Sequence, residues 1–337
     1  MNDSTTTRES GQVPKVELHC HLDGVVTADM LAAWPEPCPV PRTLLDRIGP
    51  VQDMAGFQRW FDVVSPSFVG KLERFHTIVT EHARRLANDR VIYAELMVSK
   101  SEMPKDRGEL IEAFNRLRSV ADSVQPLGVH LEFLIALGRN KPPILVAEQA
   151  ERALLLHERG LICGVALAGP EQFPVRPFAD TFDRLRERGV AIEIHAGEQE
   201  GEDSVWDALT HGHPRRLGHG LAVFDDPRLV EHVIAHGIHI EFCPTSNRAL
   251  TGRGDFVFRA IERALEHGIS FSINTDDPSP LGCSMGSEYA LVERELGLGF
   301  ADLARITENA LKAAFGRFDR LPGSAGGSHI PEGQTLT

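Results

Sequence analysis

Cysteine is scarce in this sequence, and long apolar runs are absent from it. The 337 residues contain five cysteines at wide spacing with no C-x-x-C pair, which argues against a disulfide framework and favours reduced thiols in the cytoplasm. The first residues, MNDSTTTRESGQ, lack the apolar core of a signal peptide, and no stretch approaches the length of a membrane-spanning helix. We therefore expect a cytoplasmic protein without a membrane partner.

Positive charge is also in deficit. The chain has 35 Lys and Arg residues against 48 Asp and Glu residues, which gives a formal net charge of -13. Because affinity for nucleic acid comes largely from basic side chains that neutralise phosphates, we expect no nucleic-acid partner. No G-x-x-x-x-G-K-[ST] or G-x-G-x-x-G element follows a strand. The sequence therefore does not support nucleotide-phosphate binding by a glycine-rich loop. The oligomeric state stays open at this point.

Eight short apolar, β-branched segments recur along the chain, and segments of helical periodicity lie between most of them. The proposed strands are residues 16–21, 91–98, 129–136, 162–168, 190–195, 215–220, 238–243 and 269–275. This alternation predicts an α/β fold, either a barrel or an open doubly wound sheet. Because polar candidate residues fall at the C-terminal ends of several strands, a TIM-like (β/α)8 barrel is favoured.

The connection between the first two strands, residues 24–90, is too long for a structureless loop in a compact domain. We expect extra helices inserted between strands 1 and 2. Phe57, Trp60 and Phe61 have helical spacing there, which predicts a core-facing stripe rather than a pocket lid. The domain prediction is a flexible N-terminus at 1–12, a single barrel at 13–322 and a flexible tail at 323–337.

A metal site is indicated by four residues at strand ends. His19 and His21 stand two apart in the first strand, so their side chains share a face and can reach one ion. Alone, the pair is weak evidence for a metal site, because a buried, hydrogen-bonded histidine is commoner than a metal ligand. His195 and Asp276, at the ends of strands five and eight, complete a plausible shell for one Zn2+ with room for water. An Asp before Pro often only caps a turn, but adjacent buried Asp276 and Asp277 favour a ligand role for one of them.

Hydrolysis by such a site also needs groups that handle protons. Zinc lowers the pKa of its bound water from about 15.7 to about 7, and His219, which ends the sixth strand, is the candidate base. Glu198 lies three residues after His195 and is the candidate acid, a role that requires its pKa to be raised. A structural histidine and a solvated loop carboxylate are the respective alternatives.

Six runs in this order closely resemble the adenosine deaminase family. They are PKVELHCHLDG, LAGPE, IHAGE, RLGHG, EFCPTSN and SINTDDP, spread over nearly the whole chain. The resemblance implies a β/α-barrel hydrolase whose zinc ligands are His19, His21, His195 and Asp276. It implies hydrolytic deamination of adenosine or 2'-deoxyadenosine to the inosine product and ammonia, by zinc-hydroxide attack at purine C6.

The same resemblance implies roles for residues around the substrate. Glu198 corresponds to the acid that protonates purine N1, and His219 to the base that orients the hydroxide. Asp277 corresponds to the residue that contacts N7, and the backbone of Gly169 to the group that meets N3. Asp23 matches the nucleoside deaminases, in which this aspartate lies near the ribose 5'-hydroxyl, whereas adenine-specific relatives usually carry glutamate.

Two departures keep the substrate open. LAGPE has Pro170 where the family usually has aspartate, and the strand around Met97 lacks the family's arginine. A modified adenine nucleoside such as 6-aminodeoxyfutalosine, free adenine, or an inactive binding protein on the same fold are the alternatives. A cytidine-type deaminase is excluded because no P-C-x-x-C follows an H-x-E, and ICGVALAG lacks the carboxylated lysine of dinuclear amidohydrolases.

Overall fold

Eight parallel strands pair with one another in chain order. The computed structural model describes residues 9–32, 49–67, 72–99 and 104–316. The strands are β1 (Lys15–His21), β2 (Val91–Ser99), β3 (His130–Gly138), β4 (Gly164–Ala168), β5 (Ala191–Ala196), β6 (Arg216–His219), β7 (His239–Phe242) and β8 (Phe271–Ile273). Every strand proposed from the sequence is present, and the prediction of a TIM-like (β/α)8 barrel is confirmed.

The barrel closes where the chain leaves β8 and meets β1. Cys20 and Asp276 form a parallel bridge. The backbone N–H of Asp276 donates to the carbonyl of His19 at 3.0 Å, and the N–H of His21 donates to the carbonyl of Asp276 at 2.9 Å. Three of the predicted metal ligands are therefore joined by the backbone hydrogen bonds that close the barrel.

Helices cover the outside of the barrel. Between β2 and β8 they are α4 (Arg107–Val124), α5 (Pro143–His157), α6 (Ala179–Glu187), α7 (Glu202–Gly212), α8 (Pro227–His236), α9 (Pro244–Leu250) and α10 (Phe256–His267), and after β8 come α11 (Pro278–Leu281), α12 (Met285–Leu296) and α13 (Phe300–Ala313). Their ends follow local chemistry. In α8, the Asp226 side chain accepts from the N–H of Arg228, and Gly237 ends the helix at φ 62°, a conformation that glycine adopts without strain.

The connection from β1 to β2 contains helices α1 (Ala28–Ala32), α2 (Met54–Val64) and α3 (Leu72–Asn88). In α2, Trp60 is buried and Phe57 and Phe61 pack half-buried against the core. The aromatic stripe therefore faces the core, as its spacing predicted. None of the helices within the described ranges is both long enough and apolar enough to cross a bilayer.

Part of the predicted N-terminal flexible segment is packed. Residues Glu9–Gly11 form a 3-10 turn, the Glu9 N–H donates to the Glu293 carboxylate at 3.0 Å, and Ser10 is buried. Residues 1–8 and the tail at 323–337 lie outside the described residues. The domain limits themselves stay a prediction.

A charged layer lies inside the barrel beneath its carboxyl end. Arg216 of β6 contacts Glu95 of β2 at 2.7 Å and Glu241 of β7 at 2.6 Å, with all three side chains almost fully buried. Strands β2 and β6 are not neighbours, so the contact between Arg216 and Glu95 runs through the interior. Each of the two carboxylates thereby contacts the same cation where water cannot solvate it.

Removal of the Arg216 charge leaves two buried carboxylates without their cation. We expect Arg216→Leu to lower the apparent free energy of unfolding by about 3–5 kcal/mol, measured by urea denaturation of the metal-free protein. Arg215 is exposed in the same strand region, so Arg215→Leu is the matched control. Equal stability of the two variants would contradict a charge-neutralising role.

Candidate metal and catalytic site

The four predicted ligands converge at the carboxyl end of the barrel. Their ligand atoms, from His19, His21, His195 and Asp276, all lie within 4.8 Å of one another. His21 Nε2 is 3.2 Å from His195 Nε2, and Asp276 Oδ1 is 3.5 Å from His19 Nε2 and 3.4 Å from His21 Nε2. Ligands about 2.0–2.1 Å from a tetrahedral ion are spaced by about 3.4 Å. The cluster therefore has the dimensions of a metal site.

The charges and open lone pairs of this cluster also fit a cation. Within the described part of the chain, the buried Nε2 of His19 has no hydrogen-bond partner. Burial opposes ionisation of Asp276, but the close approach of His19 and the charges of the neighbouring imidazoles hold its pKa well below the usual range. Burial lowers the pKa of His195, which keeps this imidazole neutral with a free lone pair. The cluster thus includes one anionic ligand, Asp276, and one neutral imidazole ligand, His195.

Two carboxylates orient the histidines from behind. Glu241 Oε2 lies 2.7 Å from His19 Nδ1, and Glu193 Oε1 lies 3.0 Å from His195 Nδ1. The hydrogen bond between His19 and Glu241 holds the Nδ1 proton and directs Nε2 toward the metal. Neither carboxylate was predicted from the sequence, although each is an acid inside an apolar strand, in VAIEIH and IHIEFC.

Asp276 is held in one orientation by a residue that follows β7. The Ser246 hydroxyl donates to Asp276 Oδ2 at 2.7 Å, so Oδ1 is the atom that faces His19 and His21. Asp276 has φ 62°, a left-handed conformation that is strained for most residues other than glycine. The closing backbone hydrogen bonds and the Ser246 contact maintain this conformation. Ser246 belongs to EFCPTSN but was not singled out from the sequence.

Glu198 lies in the loop after β5, with its side chain only 16% exposed. Burial, and then the charges of Asp276 and Glu171, raise its pKa to about 8. Glu198 is therefore protonated at neutral pH and can donate a proton, a condition that the sequence could not reveal. It lies 3.8 Å from His219, measured from Oε2 to Nε2.

The loop that carries Glu198 is held by Glu171. The Glu171 carboxylate accepts from the backbone N–H groups of Glu198 at 3.0 Å, Gln199 at 2.7 Å and Glu200 at 3.1 Å. It also accepts from the N–H of Gly197. Glu171 is the last residue of LAGPE, and its role as a loop anchor was not predicted.

His219 ends β6 and is buried. Asn247 Oδ1 accepts from the N–H of Cys243 at 3.2 Å, which leaves Asn247 Nδ2 to donate to His219 Nδ1 at 3.0 Å. The ring proton then lies on Nε2, on the side of Glu198. Burial holds the pKa of His219 well below the usual range. This hydrogen-bond pattern favours orienting an oxygen atom over abstracting a proton at Nε2.

The predicted substrate-contact residues follow β1, β4 and β8 at the carboxyl end of the barrel. Asp277 is buried next to Asp276, and burial together with the charges of Asp276 and Asp23 raises its pKa well above the usual range. Asp23 hydrogen-bonds the Ser99 side chain at the end of β2. Gly169 follows β4 with φ 110°, which only glycine adopts readily. The contacts of these residues with a substrate stay predictions.

Gly24, next to Asp23, was not predicted to matter. A Cβ atom at this position would lie 2.0 Å from Asp277 Oδ1, closer than two non-bonded atoms can approach. Only glycine therefore lets the turn after β1 come up against Asp277. The close approach of the two segments brings Asp23 near Asp277.

Known proteins resemble this chain over nearly its whole length. A family model described as adenosine deaminase matches residues 14–322. The adenine deaminase of Sinorhizobium fredii is 31% identical over 316 residues, covering 91% of this chain and 95% of that protein. The adenosine deaminase of Serratia proteamaculans is 30% identical over 320 residues, covering 90% and 94%. A solved amidohydrolase from Burkholderia ambifaria with bound Zn has a TM-score of 0.78 at 21% identity, covering 92% of this chain and 88% of that one.

Gly218 of β6 offers a test of the metal site. A Cβ atom there would lie 2.3 Å from Glu193 Oε1, 2.8 Å from His19 Cε1 and 3.2 Å from His195 Nδ1. We expect Gly218→Ala to displace these groups and to lower the metal content of the dialysed protein, measured by elemental analysis. At Gly201 a Cβ atom meets nothing within 4 Å, so Gly201→Ala is the control. Equal metal content in both variants would argue against the site.

Proposed function

Because the chain belongs to the adenosine deaminase family, we propose that it is a zinc-dependent hydrolase that removes the 6-amino group of an adenine nucleoside as ammonia. The observation that carries this proposal is the pairing of a four-ligand metal cluster with a protonated, largely buried Glu198. Metal and acid together are what hydrolysis of an aromatic C–N bond requires.

Zinc is the ion that the donor set favours. Three imidazoles and one carboxylate at tetrahedral spacing match zinc, and an imidazole-rich shell does not suit magnesium or calcium. The Zn in the related Burkholderia ambifaria structure supports this assignment. When bound by His19, His21, His195 and Asp276, zinc would supply Lewis acidity and lower the pKa of a water to about 7. We propose one such ion per active site.

The residues around the metal cluster bind the purine, orient the attacking oxygen and donate protons. Glu198 donates its proton to purine N1, which withdraws electrons from C6 and favours attack there. His219 donates from Nε2 to the attacking oxygen and orients it toward C6. Asp277, kept protonated by its neighbours, donates to N7, and the backbone N–H of Gly169 donates to N3. The C6 hydroxyl then passes its proton to the amino group, which leaves as ammonia, and the proton lost by the attacking water restores the Glu198 carboxyl. These donors stabilise the tetrahedral centre more than the flat substrate.

A nucleoside is the substrate that Asp23 supports. Its carboxylate lies where the chain leaves β1, next to Asp277 and Ser99, and can accept from a ribose hydroxyl. The adenine deaminase from Sinorhizobium fredii favours free adenine as the second candidate, while the Serratia proteamaculans relative is named for adenosine.

A modified adenine nucleoside remains the other alternative. Met97, at the position where the family usually has arginine, is buried in an apolar cluster with Leu134, Ala136 and Ala166. This apolar position distinguishes the chain from plain adenosine deaminases. An inactive binding protein is a minor alternative, because the metal cluster and the protonated acid are both assembled.

Glu198→Gln tests the proposed acid. The amide keeps the shape of the side chain but cannot transfer the proton, so we expect zinc content to persist while turnover falls by about 10²-fold or more. Glu200→Gln, in an exposed carboxylate two residues away, is the control and should retain full activity. Substantial turnover by Glu198→Gln would show that another residue protonates N1.

Asp23→Ala tests the choice between nucleoside and free base. Loss of a ribose contact should lower kcat/KM for adenosine and 2'-deoxyadenosine much more than for adenine, measured spectrophotometrically with 5'-modified adenosines included. Free adenine is the internal control because it has no ribose. Equal losses on all substrates would remove the argument for ribose recognition. A purified wild-type protein that binds no zinc when zinc is supplied, and that turns over no purine, would overturn the enzyme proposal.

A further inference from the structure

A second cluster of metal-ligand side chains lies on the opposite face of β1. Glu17, Cys20 and His82 are all buried, and their ligand atoms lie within 4.8 Å of one another. Cys20 Sγ is 3.8 Å from Nε2 of His82 on α3. None of these residues belongs to the site described above.

An irregularity in β1 creates this cluster. Glu17 pairs with Ala94 and Cys20 pairs with Leu96, so an interval of three residues in β1 faces an interval of two in β2. This extra residue is a β-bulge, which shifts the alternation of the strand. Glu17 and Cys20, three apart, therefore share the outer face, while His19 and His21 face the interior.

The cluster contains an unsatisfied buried oxygen. Glu17 Oε1 accepts from the backbone N–H of Thr275 at 3.0 Å and from its hydroxyl. Across the ranges that the structure describes, Glu17 Oε2 has no hydrogen-bond partner although it is buried. A carboxylate oxygen in that position is costly unless a proton or a cation accompanies it.

We propose that Glu17, Cys20 and His82 form a second metal site, which takes a thiophilic divalent cation such as zinc and is separate from the deaminase site. Thiolate, imidazole and carboxylate are all zinc ligands, and sulfur and nitrogen on one tetrahedral zinc are about 3.6 Å apart. That spacing is close to the distance between Cys20 Sγ and His82 Nε2. The free Oε2 of Glu17 would also bind the zinc ion.

The fourth position of such a site is available to a small ligand. Glu17 and His82 line a cavity of about 350 Å3, which also touches Trp60 of α2, Asp89 and Cys283. Water in this cavity would complete four-coordination, as in sites with three protein ligands. The ion would tie α3 to β1 directly behind the inner histidines.

Cobalt titration of the full chain separates the two sites. After removal of metal with a chelator, we expect Co2+ to bind in two equivalents, one of which produces a sulfur-to-cobalt charge-transfer absorption in the near ultraviolet. The inner site has only nitrogen and oxygen ligands and cannot produce that band. Asp276→Asn should therefore keep the band while it weakens the other equivalent, so failure of the deaminase proposal is distinguishable from failure of this one.

Ligand variants assign the band. Cys20→Val should abolish it, His82→Gln should abolish or weaken it, and Cys163→Ser, which changes a thiol elsewhere in the fold, should leave it unchanged. X-ray absorption of the zinc-loaded wild-type protein adds a variant-free measurement, in which zinc–sulfur scattering is expected. Absence of the band and of zinc–sulfur scattering in the wild type overturns the proposal. Persistence of the band at full strength in Cys20→Val or His82→Gln also overturns it.

Discussion

The hydrogen bonds that close the barrel at Asp276 are the constraint on which the site depends. The backbone of Asp276 bonds to His19 and His21 at once, so the same contacts that join the last strand to the first also bring a carboxylate against two imidazoles. A barrel closed with another register would place a different residue opposite these histidines. Architecture and metal site are therefore one feature of the backbone.

Closure of the barrel buries ionisable groups away from water. Neighbouring charged groups compensate for part of the lost solvation. Arg216 contacts both Glu95 and Glu241, and Glu241 in turn contacts His19. Glu193 lies 3.0 Å from His195 Nδ1, and burial raises the pKa of this carboxyl to about 8. Buried charges of this kind cost free energy unless each has a partner. The interior layer thus costs some folding free energy, but it fixes the orientation of the ligand histidines.

The irregularity in β1 determines which of its side chains share a face. In an unbroken strand, residues three apart would point to opposite sides, and Glu17 could not join Cys20. The bulge allows the inner face to carry His19 and His21 while the outer face carries the second cluster. The loop anchored by Glu171 has a comparable effect on Glu198, since several backbone N–H groups converge on one carboxylate. In both places, an irregular backbone positions the chemistry.

The sequence by itself determined the eight strands, their barrel arrangement and the residues that meet at its carboxyl end. These follow from short-range periodicity and from the rule that parallel strands end on one face. Residue type also indicated which side chains could bind metal or transfer protons.

Only the tertiary structure decided how these residues are held and charged. The contacts of Glu241 with His19, Glu171 with the loop after β5, and Asn247 with His219 join residues that are distant in the chain, so no local pattern reveals them. The raised pKa of Glu198 arises from burial and from charges on other strands. The periodicity of a sequence reports on one segment at a time. The burial and the electrostatic environment of a side chain depend on every segment that packs around it.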